Sequence, residues 1–178
     1  LDMINVKYII DLNESGNIEL KINEDVMGSA WFVDEVQKVT DSNQELLGLS
    51  SLDYKKTCLS TNLNNKTYPD SSENYIEIVD KRANHITYKV SSNDTGFVVF
   101  SEAFYKNGWV AKINGEVTDI HKVNYLLRGL EVEGGEHEIV FTFEPNVIKT
   151  GTLLMASSNI LLLILVFFSF RNMIKNVQ

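Results

Sequence analysis

The stretch FVVFSEAFYKNGWVAKINGEVTDIHKVNYLLRGLEVEGGEHEIVFTFEP, residues Phe97–Pro145, decides the fold of this chain. It contains short runs rich in Val, Ile, Phe and Tyr, which are residue types enriched in β-strands. Turn-forming residues separate the runs, namely Lys106-Asn107-Gly108, Asn114-Gly115 and Gly134-Gly135. Short apolar runs between such turns predict a β-meander rather than helices.

The Asn114-Gly115 pair is the strongest turn signal in this stretch. A type I′ turn needs a positive φ at both central residues, and Asn and Gly tolerate that conformation best. Alternation before this turn gives an apolar face made of Trp109, Ala111 and Ile113. The run after the second turn, Gly134-Gly135, has a similar face made of Ile139, Phe141 and Phe143. Each of these strands therefore has one face to bury in a core.

Similar patterns occur in the part of the chain that precedes this stretch. Strands are predicted over Leu1–Leu12, Ile18–Ile22, Ala30–Val39, Thr57–Leu59, Tyr75–Val79 and Ile86–Val90. The first two strands are expected to contribute to the core, and the polar residues 53–74 are expected to form the longest loop. We therefore predict a mainly β protein, an antiparallel and jelly-roll-like β-sandwich that occupies residues 1–149.

One short helix is predicted within this sandwich. Asp41 can cap its N-terminus, and Gln44 follows three residues later, as in a capping box. Leu46, Leu47 and Leu49 supply an apolar stripe, so we expect the helix to plug an open end of the sandwich.

The composition limits the possible partners and the number of domains. The chain has 178 residues and a net charge of −8, which suits one domain and a tail. Nucleic acid is not an expected partner, because binding phosphates requires a basic surface and no Lys/Arg cluster is present. Cys58 is the single cysteine, so an intrachain disulfide is impossible.

Residues 151–170 are predicted to form a transmembrane helix. No charged residue lies between Lys149 and Arg171, and Leu153–Phe170 is almost entirely apolar. At about 1.5 Å per residue, this segment approaches the roughly 30 Å thickness of the hydrocarbon core. Arg171 and Lys175 follow without an acidic residue, so the positive-inside rule leaves a short cytoplasmic tail, residues 171–178, and the β domain outside the cell.

Several short motifs together make the chain resemble the C-terminal part of the YfhO family. These motifs are Asn5-Val6-Lys7-Tyr8-Ile9-Ile10, Ala30-Trp31-Phe32-Val33, Gly108-Trp109, Ile113-Asn114-Gly115, Val123-Asn124-Tyr125, Arg128, Gly134-Gly135-Glu136-His137 and Phe143-Glu144-Pro145. Ser29 departs from the family pattern, which more often has Asn before Ala-Trp. The family consists of large polytopic membrane proteins of bacteria that resemble GT-C-type glycosyltransferases.

The resemblance implies a function for a parent protein rather than for this chain alone. Such a protein would transfer sugars from a lipid-phosphate donor to a glycopolymer of the cell envelope, and its catalytic acids would lie in an upstream transmembrane part of the same polypeptide. This chain is then expected to be a non-catalytic accessory module in the bacterial cell membrane. The alternative is a membrane-anchored carbohydrate-binding or protein-interaction sandwich without an enzyme. A hydrolase whose acids are brought together by folding also stays open.

Candidate ligand-binding residues are Tyr105, Trp109, Asn124, Tyr125 and Arg128. Aromatic rings stack on sugar rings, while Asn and Arg donate to hydroxyl groups or phosphates, so these residue types suit a glycan or a lipid-phosphate sugar. The competing interpretation is structural: Trp109 shares a face with core residues, Asn124 can form a turn and Arg128 can pair with Glu102 or Glu131. No motif for a metal, a cofactor or a catalytic centre is apparent, so none is predicted.

Overall fold

The computed structural model describes residues 1–13 and 16–175, which form a 3₁₀-helix at Asp2–Ile4, a series of strands and two α-helices. The first half contains β1 (Tyr8–Leu12), β2 (Ile18–Ile22), β3 (Ala30–Val33), β4 (Glu35–Lys38), α1 (Ser42–Gly48), β5 (Thr57–Ser60) and β6 (Lys66–Thr67). The second half contains β7 (Tyr75–Arg82), β8 (His85–Ser92), β9 (Gly96–Ala103), β10 (Trp109–Ile113), β11 (Glu116–Thr118), β12 (His121–Val123), β13 (Leu127–Val132), β14 (Gly135–Phe143) and α2 (Asn146–Lys175).

The predicted antiparallel β-sandwich is confirmed. A five-stranded sheet, in the order β11-β10-β14-β8-β7, packs against a four-stranded sheet, in the order β12-β13-β9-β3. The core between them is built from alternate residues of the strands, including Ile86, Tyr88, Val98, Phe100, Leu130, Ile139 and Phe141. These side chains are at most 2% exposed, as expected for two inner faces that exclude water.

The stretch 97–145 forms the predicted strands, although it is not a simple meander. The connections from β9 to β10 and from β13 to β14 each cross from the four-stranded sheet to the five-stranded sheet. The predicted turn at Asn114-Gly115 is confirmed, with φ values of 52° and 90°, and it joins β10 to β11. Local turn chemistry therefore agrees with the sequence, whereas the sheet to which each strand belongs depends on long-range packing.

A third layer, which the sequence did not predict, covers the outer face of the four-stranded sheet. The expected strand from Ala30 to Val39 is wrong, because β3 ends at Val33 and β4 joins β5 and β6 in a separate three-stranded sheet. Within the stretch 53–74, β5 confirms the strand predicted at Thr57–Leu59, whereas β6 lies in the part that was expected to be a loop. A second apolar cluster between the layers includes Trp31, Val33, Val36, Cys58, Phe97 and Val99. Because β9 is covered on both faces, every residue from Phe97 to Phe100 is buried.

Helix α1 begins at the predicted residue, but the residue that it buries is not the one expected. The Asp41 carboxylate accepts hydrogen bonds from the backbone N–H groups of Asn43 and Gln44, so the predicted cap is confirmed. The predicted stripe of leucines does not bury this helix, because Leu46 and Leu47 are 49% and 73% exposed and Leu49 is only half-buried. Glu45 is the fully buried residue of α1, since its carboxylate has partners inside the protein.

The two N-terminal strands do not join the core. β1 is shorter than the predicted strand over Leu1–Leu12, and β1 and β2 pair only with each other in the described part of the chain. Their apolar side chains are largely exposed, so the expectation that they contribute to the sandwich core is wrong.

The C-terminal apolar helix is confirmed as a candidate membrane span. α2 follows β14 after only Glu144 and Pro145, and residues Asn146–Ser169 are long and apolar enough to cross a bilayer. The helix starts earlier than the predicted residue 151 and continues to Lys175. Of the predicted tail, residues 176–178 lie outside the described residues.

Candidate functional site

The end of the sandwich from which α2 leaves is here called the helix-proximal end. It contains the loop 104–108, the turn 124–126 and the linker Glu144-Pro145. Trp109, the first residue of β10, pairs with Phe143, the last residue of β14. The backbone N–H of Glu144 donates to the carbonyl of Gly108 at 2.6 Å, which ties the loop to the linker. The loop and the start of α2 are therefore neighbours.

An aromatic cluster forms at this end around Phe143. Its ring centre lies 5.3 Å from that of Trp109 and 6.4 Å from that of Tyr105. Gly108 allows this approach, because a Cβ atom at that position would lie 2.6 Å from the Phe143 ring, and its φ is +133°. Tyr105 remains 56% exposed, so the cluster presents an accessible ring to solvent.

Two clefts flank this aromatic cluster. The larger, of about 610 Å³, is lined by Tyr105, Lys106, Trp109, Phe143, Asn146 and Lys149, so it lies between the sandwich and the first turn of α2. The second, of about 440 Å³, shares Tyr105, Lys106 and Trp109 and adds Asn62, Thr118 and Asp119. Both volumes fall within the range of small-molecule sites, and both combine aromatic surface with polar groups.

The larger cleft also carries two lysines and a carboxylate. Lys149 pairs with Glu144 at 3.0 Å, and both side chains are well exposed. The hydrogen bond from Lys149 lowers the pKa of Glu144, so this carboxylate is ionised at neutral pH. Lys106 adds a second cation to the lining. The cleft can therefore present ammonium groups beside aromatic rings.

Arg128 is buried beneath Trp109 instead of facing solvent. Its guanidinium lies 4.2 Å from the Trp109 ring and 5.3 Å from the Phe141 ring. Its Nε donates to the carbonyl of Ala103 at 2.9 Å, in place of the predicted pairing with Glu102 or Glu131. The residue is 2% exposed, and this burial lowers its pKa. Arg128 therefore supports Trp109 from inside the sandwich.

Asn124 is also buried, where it attaches the third layer to the four-stranded sheet. Its backbone N–H donates to the carbonyl of Leu59, and its Oδ1 accepts from the Leu59 N–H, both at 2.8 Å. Its φ of 48° agrees with the alternative prediction of a turn, since Asn tolerates the left-handed region. Asn124 thus provides the hydrogen-bond partner of both the backbone carbonyl and the backbone N–H of Leu59.

Tyr125 has partners different from those of Tyr105 and Trp109. Its backbone N–H donates to Oε1 of Glu45 at 2.9 Å, and the ammonium of Lys122 lies 5.1 Å from its ring centre. The same ammonium pairs with Oε2 of Glu45 at 3.0 Å. The ring is 44% exposed, so Tyr125 belongs to a second surface beside α1.

Of the five predicted residues, the structure thus brings Tyr105 and Trp109 to a cleft, with Arg128 behind them. Sequence reasoning missed Phe143, Lys149 and Glu45. The first two could have been found from Pro145, because a β-strand that runs directly into an apolar helix places its last residues beside the first helical turn. No local signal marks Glu45, whose partners Lys122 and Tyr125 lie far along the chain.

Comparison with known proteins gives one family. The model of the family described as bacterial membrane protein YfhO matches residues 6–155, which is most of the chain. The comparisons with curated proteins and with solved structures found no significant match to this chain.

Proposed function

Because the chain belongs to the YfhO family of bacterial membrane proteins, we propose that it is the accessory, non-catalytic C-terminal module of a GT-C-like glycosyltransferase. In this proposal α2 spans the membrane and the sandwich stands outside the cell. The larger cleft holds the phosphate-sugar head group of a lipid-linked donor for use by an upstream membrane part of the same polypeptide. The acceptor is a glycopolymer of the cell envelope.

The observation that carries this proposal is the position of the cleft. Tyr105, Trp109 and Phe143 present aromatic surface within a few residues of Asn146, where the apolar helix begins. A lipid-linked sugar whose hydrocarbon chain lies in the bilayer has its phosphate and sugar at this height. Aromatic rings suit the sugar, and Lys106 and Lys149 suit the phosphate.

Charge at the two ends of the helix supports the outward orientation of the domain. Arg171 and Lys175 follow the apolar segment, whereas Lys149 is the single Lys or Arg among the twenty residues before Gly151. Basic residues near the end of a span favour the cytoplasmic side.

Binding of a polyprenyl-phosphate hexose tests the proposal. The full chain is placed in phospholipid nanodiscs with increasing amounts of this lipid, and tryptophan emission is recorded. Trp31 is only 6% exposed, so a change in emission that disappears in Trp109→Phe reports on the cleft. We expect saturable binding that Tyr105→Ala and Lys106→Ala each weaken at least fivefold.

Matched controls are available on the surface of the five-stranded sheet. Tyr75, in β7, is 54% exposed, and Lys89, in β8, is also exposed. Tyr75→Ala and Lys89→Ala should leave the binding unchanged. Equal binding by all four variants, or no saturable change in emission, would reject the cleft as the donor site.

A further inference from the structure

The hairpin formed by β1 and β2 has one continuous apolar face. Its register places Tyr8 opposite Ile22, Ile10 opposite Leu20 and Leu12 opposite Ile18. Direct partners in an antiparallel pair share a face, so these six side chains lie together. They are between 57% and 77% exposed, which is a large apolar surface to leave in water.

The opposite face of the hairpin carries its charged residues, together with Ile9. Lys21 pairs with Asp11 at 3.0 Å and approaches Glu19 at 3.7 Å. The hairpin is therefore amphipathic, with its paired charges on one side and six of its seven large apolar side chains on the other. A lone two-stranded hairpin is marginally stable in water, so contact on the apolar face would stabilise it.

The base of the hairpin lies at the helix-proximal end. After β2, the chain returns to Gly28, whose carbonyl accepts a hydrogen bond from Oγ of Ser101 at 2.6 Å, near the end of β9. Before β1, Met3 contacts the side chain of Asn124, with 3.4 Å between Nδ2 and Sδ. Asn23 links the two strands at this base by donating to the carbonyl of Val6 at 3.0 Å.

We propose that the apolar face of this hairpin lies on the lipid bilayer, at the level of the head groups. The span α2 leaves from the same end of the sandwich, so the hairpin extends from the part of the domain that is held against the membrane. The hydrocarbon core is excluded as its position, because the unpaired edges of two strands cannot be satisfied there. Tyr8, at the base and beside Lys7, is a residue type favoured at this interface.

Fluorophore labelling tests the position of the hairpin. Ile10→Cys and Leu20→Cys each place a label on the apolar face, while Glu19→Cys places one on the opposite face beside Leu20. The native Cys58 is 0% exposed, and burial raises the pKa of its thiol, so it does not compete for the label. Each variant of the chain carries the fluorophore NBD, with one chain in each nanodisc.

Nitroxide groups on the lipids give the readout. With the nitroxide at the head group or at carbon 5 of the acyl chain, we expect labels at positions 10 and 20 to be quenched at least threefold more than the label at position 19. Their emission should also be shifted to shorter wavelength. Equal, weak quenching at all three positions would show that the face is in water. Shifted emission without quenching would show that protein covers the face, and it would equally overturn the proposal.

Discussion

The guanidinium of Arg128 lies against the ring of Trp109, 4.2 Å from its centre, inside the sandwich and beneath the proposed binding cleft. This contact joins a residue of the four-stranded sheet to the first residue of β10 in the five-stranded sheet. It explains how Trp109 can line a surface cleft and still be held in one orientation. The two residues thus have different roles in the proposed site, where Trp109 would contact the ligand and Arg128 holds the Trp109 ring in place.

Replacing Arg128 should therefore destabilise the domain. Arg128→Ala removes the stacking on Trp109 and the bond to Ala103 and leaves a cavity, at a cost of about 3 kcal/mol. For a domain of this size, that corresponds to a fall in the thermal midpoint of roughly 6–12 °C. The thermal midpoint is measured by near-ultraviolet circular dichroism of the detergent-solubilised chain. Tyr105→Ala, at an exposed site, should lower the midpoint by no more than about 2 °C, and equal effects of the two variants would contradict this assignment.

The shape of the cleft should depend on Gly108. In Gly108→Ala the new methyl group meets the Phe143 ring at 2.6 Å, in addition to the strain of a φ of +133°. Gly115→Ala is the matched control, because Gly115 also has a positive φ, of +90°, but has open space around its Cβ position. We expect Gly108→Ala to weaken donor binding at least fivefold and Gly115→Ala to leave it unchanged. Indistinguishable binding by the two variants would show that the Gly108–Phe143 contact does not shape the site.

Glu45 should be important for the attachment of α1. Glu45→Ala leaves the N–H of Tyr125 without its acceptor and Lys122 without its carboxylate, at a cost of about 2 kcal/mol. Leu46→Ala, at the next position but 49% exposed, should cost less than about 0.5 kcal/mol. Chemical denaturation of both variants measures the free energies of unfolding. A larger loss in the leucine variant would mean that α1 is held by its apolar side chains.

The cap of α1 should make stability depend on pH. The hydrogen bond from the Gln44 N–H, followed by that from Asn43, lowers the pKa of Asp41 below its ordinary value of 3.8. A lowered pKa means that the ionised cap stabilises the folded state above pH 3.8, and that this contribution is lost as the pH falls through the lower folded value. The thermal midpoint of Asp41→Ala should therefore lie below that of the wild type at pH 7, and the difference should shrink in acid. A difference that is constant with pH would contradict the role of the charge.

Several features of the fold follow from the sequence because they depend on neighbouring residues. The turn at Asn114-Gly115 and the cap at Asp41 are local devices, and the alternation around Ala111 identifies the buried face of β10. The third layer was not predictable as a whole. The sequence indicates β5, but β6 has only two residues and lies in a polar stretch. Their pairing with β4 depends on contacts between distant segments.

The candidate site was likewise predictable only in part. The residue types at Tyr105 and Trp109 indicated a ligand surface, and the structure places both at a cleft. Asn124 and Arg128 have equally suitable chemistry, but both are buried. Asn124 lies in a turn that bonds to Leu59, and Arg128, in β13, stacks on Trp109 inside the sandwich. The hairpin illustrates the converse case, because alternation in β1 and β2 identifies an apolar face without identifying what covers it.

An assay of sugar transfer in membranes that contain the native protein tests the central claim most directly. The rate is measured in membrane vesicles against the concentration of a polyprenyl-phosphate hexose donor, for the wild type and for the double variant Tyr105→Ala/Trp109→Ala. An accessory site that holds the donor predicts a KM at least tenfold higher, with kcat changed by less than a factor of three. Unchanged KM together with a kcat reduced a hundredfold or more, or no change in either constant, would contradict the account.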